Sequence, residues 1–101
     1  MPKLSRVPLR VEDVNHFTAL LWGVLASLRK VSDITLLLKN LFTHTEVKMF
    51  AKRLQIAKML LNGDSYAVIS RRLNVTDAPI TRINNLLHAN AQFKDIVRKL
   101  V

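Results

Sequence analysis

Apolar positions along the chain recur at helical rather than alternating spacing, and the pattern predicts six helices. The sharpest repeat is Ile80, Ile83 and Leu87 at i, i+3 and i+7, which leaves Ala78, Thr81, Arg82 and Asn85 on other faces. Just upstream, Ser65 is placed to cap a short helix whose inward positions are Ala67, Ile69 and Leu73. Asn74 follows where the chain must turn sharply, and Asn tolerates the left-handed conformation better than most residues. Val75 is expected as a buried plug. Thr76 is placed to cap the next helix, with Asp77 in its first turn, where the helix dipole favours an acid. Pro79 falls at about the third helical position, where its missing N–H has no intrahelical partner to lose. Two short helices around a tight turn make residues 65–87 a helix-turn-helix.

The other helices are read the same way. Val11 to Lys30 forms a long first helix, with Glu12 and Asp13 at its start and Arg29 and Lys30 at its end, matching the macrodipole. Its middle, FTALLWGVLASL, is apolar nearly all round, so Phe17 and Trp22 are expected in a core or an interface. Ser32 is placed to cap a second helix, Asp33 to Leu41, with Ile34, Leu37, Leu38 and Leu41 inward. Thr43 and Glu46 form a capping box, and Phe42 with Val47 a hydrophobic staple around it. The third helix runs to about Leu61, with Phe50, Leu54, Ala57 and Leu61 inward, and Gly63 stops it. After the helix-turn-helix, residues 88–101 form a last helix in which Asn90 can cap and Phe93, Ile96, Val97 and Leu100 are apolar. Residues 1–10 are read as a basic N-terminal arm, and 11–101 as a single all-helical domain.

Composition narrows the class. The chain has 101 residues, enough for one small core. Two glycines and three prolines allow few breaks, which agrees with an all-α domain. Half the residues are hydrophobic, more than one short chain hides easily, so a second copy is expected to share the core. Sixteen Lys and Arg against seven Asp and Glu give a net charge of +9, which favours polyanions as partners. Cysteine is absent, which rules out disulfides and thiolate chemistry and is compatible with a cytoplasmic location. The apolar stretch from Phe17 to Leu28 spans 12 residues, short of the roughly 20 a membrane helix needs. No cleavable signal is expected either, and no membrane partner. His16, His44 and His88 are not at metal-ligand spacings, and no glycine-rich phosphate loop or catalytic acidic pair is present. Neither an enzyme, a metal nor a cofactor is expected.

The order of capping box, long helix ending in LLNGDS, and helix-turn-helix ending in PITRINNLL resembles the Trp-repressor-like family, over residues 36–87 most closely. The resemblance implies an all-α, six-helix fold in an intertwined homodimer, presenting two reading helices to successive major grooves of double-stranded DNA. By position, Ala78 and Thr81 look like the family's groove-contacting residues, and Arg71 and Arg72 lie near its phosphate-facing ones. Thr43, Arg53 and Arg82 match family positions that hold a tryptophan corepressor. Two departures stand beside them: Ile83 replaces a glycine that lies against the indole, and Leu86 replaces a serine that helps hold the amino group. A β-branched side chain in that slot overpacks it by roughly 1–3 kcal/mol, and the lost hydroxyl leaves the ammonium short of a partner. Thr43, Arg53, Arg82, Ile83 and Leu86 are therefore read as a vestigial pocket. The branch that lacks a corepressor, typified by the YerC/YecD-like proteins, is the closer likeness.

These readings predict a dimeric, sequence-specific DNA-binding transcriptional regulator that does not use tryptophan. Arg71, Arg72 and Lys52 or Lys58 are expected at phosphates. Thr76, Asp77, Ala78, Thr81 and Arg82 are expected to face the groove, with Ala78 at a thymine methyl, Asp77 at a cytosine amino group and Thr81 serving several bases. Arg82 has an alternative, a pair within the protein, and the basic arm is either a solvated terminus or a DNA contact. The rival from another class is a helical dimerisation or adaptor module whose exposed helix meets protein. RNA ranks lower, because no exposed aromatic platform for stacking bases is evident.

Overall fold

A computed structural model describes residues 8–100, with side chains through Lys99. Residues 1–7 of the basic arm lie outside this range, as does the side chain of Leu100. Among the described residues six helices follow one another without a strand: α1 (Val11–Ser27), α2 (Val31–Leu41), α3 (His44–Leu61), α4 (Tyr66–Leu73), α5 (Asp77–Ala89) and α6 (Ala91–Leu100). The chain divides into two compact units, one ending at Leu41 and the other beginning at Phe42.

In the first unit, α1 opens at an extended Arg10, whose Nε donates to Asp13 Oδ2 at 3.2 Å. The helix ends earlier than its charge pattern suggests. Leu28 is extended (φ −79°, ψ 134°), so Arg29 and Lys30 fall in the connection. The Lys30 carbonyl accepts from both Asp33 and Ile34 N–H at 3.1 Å, so α2 begins at Val31 and Ser32 lies inside it rather than capping it. No residue of α1 or α2 is buried. Phe17 and Trp22 are 52 % and 61 % exposed, so neither is in the core of this chain, and Leu41 is exposed too.

The second unit holds the core. Ile56, Ala57 and Met59 of α3, Ile69 of α4, Ile80, Ile83 and Leu87 of α5, and Val97 of α6 form one buried cluster. Ile56, Ile69 and Ile80 are essentially inaccessible to solvent and mark its centre. Around them pack Leu60, Leu61, Tyr66, Leu73, Val75 and Phe93. Only the C-terminal half of α3 enters this cluster. Phe50 and Leu54 continue the same helical stripe but stay exposed, contrary to expectation, because α4–α6 meet the helix only further along. Phe50 instead meets Phe42 edge-on, with ring centroids 5.3 Å apart, and carries the Arg53 guanidinium 5.8 Å from its centroid. Ala67 is likewise exposed: the inward stripe of α4 is Tyr66, Ile69 and Leu73, and Ala67 lies one residue off it. The last helix begins at Ala91 rather than His88, with Asn90 Oδ1 accepting from Phe93 N–H at 3.0 Å. Ile96 faces solvent while its neighbour Val97 is buried.

Candidate nucleic-acid interface

The site is built on α3, whose two ends are both closed by local chemistry. At its start, Thr43 N–H donates to Glu46 Oε1 (2.8 Å) and Glu46 N–H donates to Thr43 Oγ (3.1 Å), the reciprocal capping box. The Thr43 backbone N–H foremost, and then the Thr43 hydroxyl, hold the Glu46 carboxyl below its usual range. At its end, Gly63 N–H donates to the Leu60 carbonyl and Asp64 N–H to the Met59 carbonyl, at 3.1 and 3.0 Å. That Schellman closure needs a left-handed residue at Gly63, which has φ 88°.

The next helix, α4, is capped by Ser65, whose Oγ accepts from Val68 N–H at 3.2 Å. Asn74 then adopts the left-handed conformation (φ 54°, ψ 55°), as its place in the sequence predicts. Two bonds to one residue close the turn: the Val75 N–H donates to the Ser70 carbonyl, and Ser70 Oγ donates to the Val75 carbonyl at 2.6 Å. Sequence reasoning missed Ser70, since a mid-helix serine five residues before its partner carries no pattern. Val75 is half-buried. Thr76 stands at the N-terminus of α5, but its side chain makes no capping bond.

The second helix of the pair, α5, turns its apolar repeat inward, with Ile80, Ile83 and Leu87 all buried. That anchoring leaves Asp77, Ala78, Thr81 and Arg82 exposed on one shallow concave face, which Asn85, Leu86 and Ala89 extend. Pro79 sits at the third helical position. Arg71 and Arg72 are exposed in the last turn of α4, immediately before the turn. Lys52 is half-buried on α3. The structure does not gather Lys58 with this face: it lines a separate cleft with Asn62 and Arg98.

Four of the five vestigial-pocket residues come together. Arg53, Arg82, Ile83 and Leu86 line a cleft of about 290 Å³ between α3 and α5. Thr43 does not line it, and both its N–H and its hydroxyl are committed to the capping box. Ile83 is only 7 % exposed and forms part of the cleft wall as well as the core. Arg82 has no carboxylate within 4.0 Å among the described residues, so the pairing alternative finds no partner there.

This build, two short helices around a left-handed Asn with the second anchored by three buried residues, defines an all-helical helix-turn-helix protein. The profile described as Trp repressor protein matches residues 16–101. The chain therefore belongs to the Trp repressor family, whose members are DNA-binding regulators. No curated protein matches it. A crystal structure of a Trp repressor candidate from Staphylococcus aureus shares the fold, with a TM-score of 0.78 and 23% identity over 92% of this chain and 95% of that one. No helix among the described residues is long and apolar enough to cross a membrane.

Proposed function

We propose that the protein is a sequence-specific DNA-binding transcriptional regulator that acts as a homodimer in the cytoplasm and does not use tryptophan as a corepressor. The observation that carries the reading is the division of α5. Ile80, Ile83 and Leu87 fix it in the core while Asp77, Ala78, Thr81 and Arg82 share one exposed face near its N-terminus. Helices that read a major groove present such a face, N-terminal residues first. Ala78 suits a thymine methyl, Asp77 a cytosine amino group, and Thr81 either a donor or an acceptor. Thr76, at the helix start, and Arg82 border the same surface. Arg71, Arg72 and Lys52 supply phosphate contacts, which set register without reading sequence.

The dimer is supported by apolar surface that one chain leaves uncovered. Phe17, Leu20, Trp22, Leu36, Phe50, Leu54 and Ile96 are all exposed. Exposed apolar side chains on this scale, in each unit taken by itself, mark interaction surfaces, and the family resemblance makes a second copy their occupant. The basic arm extends the same reading as a further DNA contact. Rejection of tryptophan rests on Ile83 and Leu86, which by the family resemblance replace a glycine beside the indole and a serine at the amino group, and which line the cleft.

The decisive substitution is Arg71→Ala with Arg72→Ala. Affinity falls on every duplex tested, and the dependence of log affinity on log salt becomes shallower by about 0.9 for each phosphate that is no longer neutralised. Unchanged affinity and slope would contradict the assignment. Tryptophan in the titration leaves DNA affinity unchanged; a tryptophan-dependent gain would reopen the pocket as a working site.

A further inference from the structure

A second polar cleft lies away from the reading face. It is about 210 Å³, well over ten times the roughly 15 Å³ that one water requires. Leu60, Leu61 and Leu87 make its apolar part, and its polar rim comes from two i, i+4 pairs, Asn84 with His88 on α5 and Lys94 with Arg98 on α6. Residues four apart share a helix face, so each helix lines the same space with two polar or basic side chains. A smaller cleft of about 110 Å³ shares Leu61 and Arg98 with it and adds Lys58 and Asn62.

We propose that this cleft binds a small phosphate-bearing anion, held by Lys94 and Arg98 with the Asn84 side-chain amide completing the donor set. Charge is the first support. Among the described residues none of Lys58, Lys94 and Arg98 has a carboxylate within 4.0 Å, although Lys58 and Lys94 are half-buried. Basic side chains that line one cleft without a counter-charge favour an anion between them.

Helix dipoles explain only part of the pattern. Lys58, His88 and Arg98 lie in the last turns of α3, α5 and α6, where a cation is favoured without any ligand. Lys94 does not: it is the fourth residue of α6, towards the end where the dipole disfavours positive charge. The His88 Nδ1–H donates to the Asn84 carbonyl at 2.8 Å, which makes Nε2 of that tautomer an acceptor and leaves the anion to Lys94, Arg98 and the Asn84 side-chain amide.

The test is titration of the full chain with sodium pyrophosphate at constant ionic strength, read by calorimetry and by amide NMR shifts, with no DNA present. Saturable binding is expected, with shifts centred on Asn84, His88, Lys94 and Arg98. Lys94→Gln with Arg98→Gln weakens it at least tenfold. Lys94→Arg retains it, which controls for folding, and Arg71→Ala with Arg72→Ala leaves it unchanged. Shifts spread evenly over all basic residues, or equal affinity in the Gln variant, would overturn the proposal, as would no saturable binding. A second arm separates two sources of phosphate. Displacement of pyrophosphate from the wild-type protein by saturating duplex DNA assigns the cleft to backbone phosphate, and simultaneous binding of both assigns it to a free anion.

Discussion

Thr43 and Asn74 show how far single residues decide this fold. Thr43 closes the start of α3, the helix on which the rest of the second unit is assembled, and Thr43→Ala should cost about 1 kcal/mol in chemical denaturation. Its partner Glu46 gives that contribution a pH dependence. The carboxyl is held below its ordinary value, so the folded state favours the ionised form. The resulting stability is present above the ordinary glutamate range and is lost as pH falls through the lowered folded value. Denaturation midpoints of the wild type and Glu46→Gln should therefore differ most near neutrality and converge in acid; a difference that widens on acidification would contradict this. Asn74, at φ 54°, allows the turn between α4 and α5, and Asn74→Ala should cost about 1–2 kcal/mol. Both residues are legible in the sequence because capping and left-handed turns depend on local chemistry. Ser70 is not, because its 2.6 Å bond to the Val75 carbonyl exists only after the turn has closed.

The same contrast runs through the elements. The apolar repeat of α5 is legible because the helix has one buried face against a core within its own unit. On α3 the repeat Phe50, Leu54, Ala57 and Leu61 is equally regular, yet only its later part enters the core. Periodicity identifies a stripe but not how much of it a neighbouring element covers. The end of α1 departs from its charge pattern for another reason: basic residues add only about 0.3–1 kcal/mol at a helix C-terminus, too little to prolong a helix when the next one recruits the Lys30 carbonyl. Two substitutions on adjacent residues separate the two faces of α5. Ile80→Ala removes a fully buried side chain and should cost about 2–5 kcal/mol in unfolding free energy. Thr81→Ala, exposed, should change stability by no more than about 0.5 kcal/mol while relaxing base preference in a binding-site selection. A stability loss at Thr81 as large as that at Ile80 would show the face assignment to be wrong.

For the whole molecule, charge and apolar surface point to different partners. The net charge of +9 favours a polyanion. The uncovered side chains of α1 and α2 favour a second copy, and sedimentation equilibrium at micromolar concentration should return twice the chain mass. Trp22→Glu with Phe17→Glu should shift that protein towards monomer, whereas a monomeric wild type would remove the dimer from the account. The fold class and the helix-turn-helix are legible because they depend on residues close in sequence. Burial along α1 is not, because one chain does not provide it.

The central claim is that the exposed face of α5 reads DNA. It is tested most directly by selecting bound sites from a random duplex library, then titrating the enriched and scrambled sequences over a range of salt. The account predicts a palindromic motif with half-sites about one helical turn apart, and affinity for it at least about a thousandfold above the scrambled duplex. Equal affinity for both sequences, or no binding at low salt, would contradict it.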